Sequence, residues 1–542
     1  MTPERIYSAL TAGPMKAQGD ALTEDQRRML AVFMSGRPFG TSQNGAAKDM
    51  PNRCVRNPLM APRSWDRDWI GWGAKLDNSR YRLTAGFSAR DVPHLKLKWA
   101  FGFPGGLSAY GQPTVAGGRV FVGADTGWVY GLDARTGCVY WSYLAKGAVR
   151  SAPTVGLVHS RGGTRLAVFF GDFHANVYGV DAQTGAELWT SRVDDHFVAR
   201  ITAGPAFYAG RLFVPVSSSE EFSAATLDYP CCTSRGSVVA LDAGTGQRIW
   251  KAWVVGDPKP TRKNSKGVQL FAPAGGSVWN SPTIDPRRGA VYFGTGDSET
   301  EPAPNTTDAV MAVDMKSGRT LWVHQIRAND SFLGGCSGAS RTDNCPKDVG
   351  PDLDIGNSPI LQVLPGGRRI LIVGTKDGEV IAIDPDHAGK LVWRTDALPA
   401  DANPRSSSAG IFWGGAADGA RVYYGLAAGA MAAVRLDDGK VVWTHTLSAA
   451  GSSNSAATTA IPGVAFVGGM DGKLHALSTS DGRELWTFET ARSFDTVNKV
   501  AAHGGGIGSE GVSVADRMLF VGSGYGVVGS RTGNVLLAFA PE

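Results

Sequence analysis

VYGLDARTGCVYW, residues 129–141, carries the pattern that decides the fold. Apolar residues alternate up to Asp133, the chain turns through Thr136 and Gly137, and a second strand ends in Trp141. Alternation gives each strand one buried face, and Asp with Gly supplies a tight turn, so the stretch predicts a β-hairpin. It recurs as VYGVDAQTGAELW (177–189), VVALDAGTGQRIW (238–250), VMAVDMKSGRTLW (310–322), VIAIDPDHAGKLVW (380–393), MAAVRLDDGKVVW (431–443) and LHALSTSDGRELW (474–486). Trp99, in HLKLKWAFGF (94–103), lacks the preceding strand, and the closing NVLLAFAPE (534–542) supplies that strand without a Trp. The two ends complete one another.

Successive Trp residues from Trp99 to Trp486 stand 42, 48, 61, 72, 71, 50 and 43 positions apart, room for four short strands per unit with insertions in the middle of the chain. Eight such units predict an all-β, eight-bladed β-propeller over residues 95–542, closed by pairing its last strand with its first. Ring closure removes the exposed sheet edges that invite aggregation. The recurrent Trp is expected to pack between blades.

Composition agrees. Glycine supplies 71 of 542 residues, about 13% where ~7% is usual. Hydrophobic residues make up 43% and charged residues 19%, a profile of turn-rich globular structure rather than disorder or coiled coil. A net charge of +5 without single-sign blocks offers no footprint for nucleic acid, and no apolar run is long enough to span a bilayer. The opening MTPERIYSAL shows none of the marks of a secretory signal.

Residues 1–50 break the repeat. Pro3 opens one helical segment, and Thr23 with Gln26 forms a capping box ahead of an apolar stripe of Leu30, Phe33 and Met34 that ends near Gly36. This predicts a small helical appendage. Residues 51–94 form a connector whose Trp65, Trp69 and Trp72 are expected to pack on the propeller surface.

Of six cysteines, Cys231 and Cys232 are adjacent, Cys336 and Cys345 flank one loop, and Cys54 and Cys138 are isolated. The 336/345 pair reads as a loop disulfide of an oxidising compartment, with two free thiols as the alternative. Neither CxxC nor CxxCH occurs, which excludes a thioredoxin-type motif and covalent haem attachment.

Several segments together resemble the pyrroloquinoline quinone (PQQ) dependent alcohol dehydrogenases, and within them the polyvinyl alcohol dehydrogenases that carry a cytochrome c domain. These are DWIGWGAKLDNSRY (68–81), LKLKWAFGFP (95–104), GCVYW (137–141), YPCCTSRGSVVALD (229–242), SVWNSPTID (277–285), VYFGTGD (291–297), NCPKDVGPDLDIGNSPIL (344–361), FWGGAADGARVYYGL (412–426), SGYG (523–526) and GNVLLAF (533–539). The resemblance covers nearly the whole chain. It makes residues 3–36 similar to the second half of a cytochrome c domain, with Met15 at the place of an axial ligand; without CxxCH no haem c is expected in this chain.

The resemblance implies a periplasmic enzyme that oxidises secondary alcohols, polymeric ones included, to ketones and passes electrons to a cytochrome c. Its cofactors would be PQQ and Ca²⁺, or another divalent or lanthanide ion. A quinone dehydrogenase needs a flat pocket, a cation held by hard oxygen ligands and a base for the alcohol proton. Trp279 matches the floor beneath the quinone, Glu220 the metal-binding glutamate with Glu221 beside it, and Lys376 the basic residue at the quinone oxygens. Asp297 falls where the family has a metal-binding Asn. Asp330 matches the catalytic base, with Asp352 and Asp354 as alternatives.

Cys231 and Cys232 match a vicinal disulfide that covers the quinone, although here the pair follows Glu220 instead of lying one blade earlier. Thr202, Ser217 and Arg235 are candidate partners for the cofactor's carboxylates and carbonyls. Asn498 and the Trp413 loop are candidate pocket walls, and Tyr110 lies near a position where the family has a glutamate. The competing reading is a non-enzymatic propeller that serves as a protein-binding scaffold in outer-membrane assembly; polar groups converging on the axis would argue against it.

Overall fold

The computed structural model describes residues 3–542 except 13–14, 36–37, 41–43, 61–64, 161–162, 337–340, 401, 403–408, 449–451, 510 and 527–530. Eight antiparallel sheets, four strands deep, follow one another around a ring. Blade 1 runs from Thr114–Ala116 to Val139–Leu144, blade 2 from Thr154–Ser160 to Glu187–Arg192, blade 3 from Ala206–Tyr208 to Arg248–Trp253 and blade 4 from Thr283–Asp285 to Thr320–Gln325. Blade 5 runs from Ile360–Val363 to Lys390–Asp396, blade 6 from Gly415–Ala417 to Val441–Thr446 and blade 7 from Thr459–Ile461 to Glu484–Glu489. Blade 8 joins Ser513–Ala515, Met518–Ser523 and Val535–Pro541 to Leu95–Gly102, with Leu97 opposite Phe539. This is the closure expected from the split repeat. First strands of neighbouring blades touch, so they line the axis and the Trp-bearing strands lie outside.

Each hairpin turn repeats one set of contacts. Asp133 Oδ1 accepts from the backbone N–H of Arg135 and Thr136 and from the Thr136 hydroxyl, and Asp181, Asp242 and Asp314 repeat the arrangement. The Trp of one blade then docks on the turn of the next. Trp141 Nε1 donates to Ala182 O at 3.0 Å, Trp189 to Ala243 O at 2.9 Å and Trp393 to Leu436 O at 3.0 Å. The turn glycine under the ring has a positive φ, and a Cβ on Gly185 would stand 2.6 Å from Trp141. The Asp-x-x-x-Gly turn and the Trp are therefore two halves of one interblade joint. Trp486 stacks instead against Phe488 and meets Phe539 edge-on, because the last strand brings no such turn.

The connector does more than coat the propeller. Trp69 pairs with Val115 of blade 1, Ile70 receives Val155 N–H of blade 2, Leu76 receives Ile284 of blade 4, and Arg80 receives Ala460 of blade 7. It thus runs across the ring from blade to blade and closes one end of the axis. Arg80, fully buried, donates to Trp72 O, Gln112, Thr458 O and Thr459, and lies over the rings of Trp69 and Trp72. Burial pulls its guanidinium down to about 9. Those bonds satisfy donors that would otherwise be costly in the interior. The Trp65 side chain lies outside the described residues.

Cys54 and Cys138, isolated in the sequence, form a disulfide across 84 residues that ties the connector to blade 1. Spacing along the chain gives no hint of it. Cys336–Cys345 and Cys231–Cys232 are also disulfides.

Helices Pro3–Thr11, Lys16–Gly19 and Glu24–Ser35 form the appendage. Its capping box is present: Thr23 N donates to Gln26 Oε1 at 2.9 Å and Gln26 N to Thr23 Oγ1 at 3.2 Å. The expected apolar stripe is corrected in part. Ala31 and Leu30 pack against Ile6 and Leu10, but Phe33 is 84% exposed and Met34 58%, because only one short helix covers this one. Met15 is exposed as well. No helix among the described residues is long and apolar enough to cross a membrane.

Candidate active site

One register position builds the axial cavity. Three residues ahead of the proline that leads into the first strand of blades 1 to 5 stand Tyr110, Arg150, Thr202, Trp279 and Gly356. Ser509 stands as far ahead of the first strand of blade 8, and Trp413 enters from two residues ahead of the first strand of blade 6. All seven line one cavity, with Trp72 of the connector and Gln112, which donates to Trp72 O, beside them. Trp279 is central to it. Its ring meets Trp413 edge-on at 5.0 Å, and a Cβ on Gly356 would lie 1.8 Å from Trp279 Cη2, so Gly is required there for the indole to occupy this position.

Above the Trp279 ring, at 5.5 Å from its centre, lies the Lys376 ammonium. It contacts Asp352 and is 2.6 Å from Asp354 Oδ2. Burial disfavours its charge, yet Asp354, Asp352 and Asp297 together raise its pKa well above the usual value. Asp354 Oδ1 accepts from Asp297 N at 2.7 Å, across Gly296, where a Cβ would stand 2.6 Å from the same oxygen. Both carboxylate oxygens of Asp297 are buried and have no hydrogen-bond partner among the described residues. Burial and then Asp354 drive its pKa far upward. Such oxygens could hold a cation.

Asp330, the residue expected to act as base, lies against the loop that carries Asp352 and Asp354. Its carboxylate accepts from Leu353 N at 3.0 Å and Asp352 N at 3.4 Å, and a Cβ on Gly350 would lie 1.9 Å from Asp330 Oδ1. It therefore braces the 350–354 loop, and burial lifts its pKa to about 6. Asp352 has φ +63, in the left-handed region that Asp tolerates better than most residues, and its side chain is the most open of the three acids. Its pKa too is raised, by burial and by Asp354 against the pull of Lys376.

The structure separates Glu220 from this cluster. Fully buried, it accepts from Tyr229 at 3.0 Å, from Thr233 N at 3.0 and 3.1 Å and from Ser234 N, and its carboxylate lies within 4.8 Å of Glu299 and Cys232, a separate group of potential ligands. Glu221 is the one that faces Asp354, Lys376, Asp352 and Arg200, and burial with Asp354 pushes its pKa up to about 7. Alternation along the short turn at 220–222 sends adjacent glutamates to opposite sides.

The vicinal disulfide follows Glu220. Cys231 and Cys232 pack with Ala224, Leu270, Ala274, Leu333 and the Cys336–Cys345 bridge, a cluster that does not include Trp279. The ring directly precedes Thr233 and Ser234, whose amides hold Glu220, and it is not packed against the indole. Arg235 also points away: its guanidinium lies 3.6 Å from the Trp253 ring centre and is paired with Asp257. Asn498 clamps Gly102 through both amide atoms, at 2.7 and 3.0 Å, and so fastens the closing strand. Thr202 and Ser217 do meet, hydroxyl to hydroxyl at 3.1 Å.

Arg150, Arg200 and Asp308 escaped the sequence reading. Arg150 lies over Trp413 at 4.4 Å and Arg200 over Phe173 at 5.1 Å; neither guanidinium has a carboxylate ion-pair partner among the described residues. Burial, and Arg150 nearby, lower the Arg200 pKa. The proline register would have found Arg150, since it predicts one axial side chain per blade.

Comparison with known proteins agrees with this geometry. Residues 69–332 match the family described as "PQQ: Glucose/ethanol/alcohol dehydrogenase, beta-propeller domain". A polyvinylalcohol dehydrogenase of Pseudomonas sp. is 39% identical over all of this chain and 89% of its own length. One from Sphingopyxis sp. is 34% identical over 99% of this chain and 88% of its own. The quinohemoprotein alcohol dehydrogenase ADHIIG of Pseudomonas putida has the same fold, with a TM-score of 0.63 at 17% identity over 91% of this chain and 83% of that one. Eight Trp-docked blades, the Trp279 cavity and whole-length similarity to two polyvinylalcohol dehydrogenases place the chain in the PQQ-dependent alcohol dehydrogenase family.

Proposed function

We propose that this protein oxidises secondary alcohols, polymeric ones such as polyvinyl alcohol included, to ketones and passes the electrons singly to a cytochrome c. The observation that carries this reading is the Lys376 ammonium over the ring of Trp279, paired with Asp352, where Trp279 also lines the axial cavity. The names of its whole-length relatives support the polymeric substrate. Three disulfides fit the periplasm, an oxidising compartment.

The residues fit the quinone and its cation. PQQ is flat and carries three carboxylates; the Trp279 indole suits its face, and the Arg150 and Arg200 guanidiniums, with Thr202 and Ser217, suit its anionic edge. Asp297 offers two unpartnered oxygens, the hard donors that calcium or a lanthanide prefers, with Asp354 and Glu221 beside it. When bound, the quinone supplies the two-electron acceptor for the hydrogen leaving the carbinol carbon. Asp352 takes the alcohol proton on its carboxylate, and the Lys376 ammonium keeps that carboxylate ionised until it does. Asp330 holds Asp352 in position through its backbone N–H. Trp413, Trp72 and Tyr110 exclude water from the cavity.

Incubating the purified chain with PQQ and Ca²⁺ tests the reading. Trp fluorescence should be quenched on quinone binding, and dye-linked turnover of a secondary-alcohol panel should yield ketones. Turnover confined to primary alcohols would defeat the substrate assignment, and no quinone binding at all would return the chain to the scaffold reading.

A further inference from the structure

Asp297 belongs to two carboxylate groups, and only one of them has a cation. On one side, oxygens of Asp297, Asp352 and Asp354 lie within 4.8 Å of one another, and Lys376 already serves that group. On the other, oxygens of Asp297, Asp308 and Asp330 lie within the same 4.8 Å. No ammonium or guanidinium is paired with Asp308 or Asp330 among the described residues.

Asp308 is the independent observation. It is fully buried, 0% exposed, and no amide, hydroxyl or cationic donor reaches either of its carboxylate oxygens among the described residues, nor those of Asp297; its side chain meets the Asp297 carboxyl instead. Desolvating a carboxylate without such a donor is among the most expensive things a fold can do. The backbone still fixes Asp308 there: φ is +50, and its carbonyl accepts from Ile326 N at 2.8 Å. Its position is therefore built, and what it faces is the Asp297–Asp330 pair.

Charge and size both point to a metal ion. Five aspartates against one lysine leave four negative charges, which one divalent cation halves and two remove. Two oxygens on one calcium stand no more than about 5 Å apart, twice a metal–oxygen distance of ~2.5 Å, and the trio meets that limit. We propose that Asp297, Asp308 and Asp330 hold a second divalent cation, with Asp297 bridging it to the one expected beside Asp354. Bridging carboxylates are how proteins keep two cations ~3.5–4 Å apart. This second ion holds Asp330, and through it the Asp352 loop, in place.

The test counts calcium in the full chain without quinone. The protein is dialysed against Ca²⁺, then against Ca²⁺-free buffer, and the retained metal is measured per chain, with quinone binding followed in parallel. Wild type should keep two Ca²⁺ and Asp308→Asn one, with a smaller rise in melting temperature on adding Ca²⁺. One ion in the wild type overturns the proposal, whether or not Asp308→Asn folds, and leaves quinone binding intact. Two ions in Asp308→Asn overturn it as well. No retained ion, with the acids instead sharing protons, overturns it together with the cation part of the dehydrogenase reading.

Discussion

The rim and the axis of this propeller obey opposite rules. At the rim one position holds Trp eight times, from Trp99 to Trp486, and seven of those rings meet a turn glycine of the next blade. At the axis one position holds Tyr110, Arg150, Thr202, Trp279, Gly356 and Ser509, and Trp413 joins them from blade 6. The backbone repeats in both places. Side chains repeat only where the physical demand repeats: every interblade joint needs the same apolar plug, whereas a site that binds an asymmetric molecule needs a different group from each blade. Regularity in this chain therefore reports stability, and departure from regularity reports chemistry.

The sharpest way to break that division is to swap the consequences. Asp352→Asn removes the base while keeping shape and the Lys376 contact, so kcat should fall roughly 10²–10⁴-fold. The melting temperature should hold or rise, because one of five crowded acids has lost its charge; retained turnover would remove Asp352 from the mechanism. Trp141→Ala should do the reverse. A ring 5% exposed is lost from between blades 1 and 2, at a cost of about 3–5 kcal/mol in denaturant unfolding, while turnover per folded molecule stays within a factor of two.

A matched pair of glycines sharpens the same contrast at smaller scale. Gly185→Ala forces a left-handed φ of +74 on Ala and sets its Cβ 2.6 Å from Trp141, which should cost more than about 1 kcal/mol of stability and leave quinone affinity alone. Gly356→Ala pushes on Trp279 instead, so quinone affinity should weaken several-fold in a fluorescence titration. Equal effects of the two on affinity would erase the distinction between joint and site.

How much of this was legible follows from the same division. Blade number, ring closure, the Trp joints and the capping box stood in the sequence because each is a local pattern repeated or spaced by a fixed rule. Trp279, Lys376, Asp297 and Thr202 were legible by family resemblance, and they lie at the axis. Glu220 and Glu221 cannot be told apart in the sequence; the turn at 220–222 sends Glu221 toward Asp354 and Lys376 and Glu220 toward the disulfide loop. Arg235 misled because an arginine beside a motif carries no direction, and its partners Trp253 and Asp257 lie 18 and 22 positions on. Cys54–Cys138 and the buried Asp308 depend on contacts between distant parts of the ring, to which no spacing rule points.

The smallest expected effect lies in a rim joint made of charge. Arg288 of blade 4 reaches Asp386 of blade 5 at 2.6 Å, while Arg369 of blade 5 bonds both Asp386 and, at 2.7 Å, Asp285 of blade 4. Hydrogen bonds from Arg369 and Arg288 hold the Asp386 carboxyl well below the usual carboxylate range, against the opposing effect of partial burial. A carboxyl whose folded pKa is depressed contributes stability that is complete above its unfolded value near ~3.9 and disappears as pH falls below it. Asp386 is partly open to solvent, so the contribution is on the order of 1 kcal/mol or less. Asp386→Asn should accordingly lower the melting temperature slightly at pH 6, by an amount that begins to shrink near pH ~4 and disappears only as the pH falls through the depressed folded value. A gap that instead persisted at low pH would mean that packing, not charge, joins blades 4 and 5 there, and the rim would then be as uniformly apolar in its energetics as it is in its sequence.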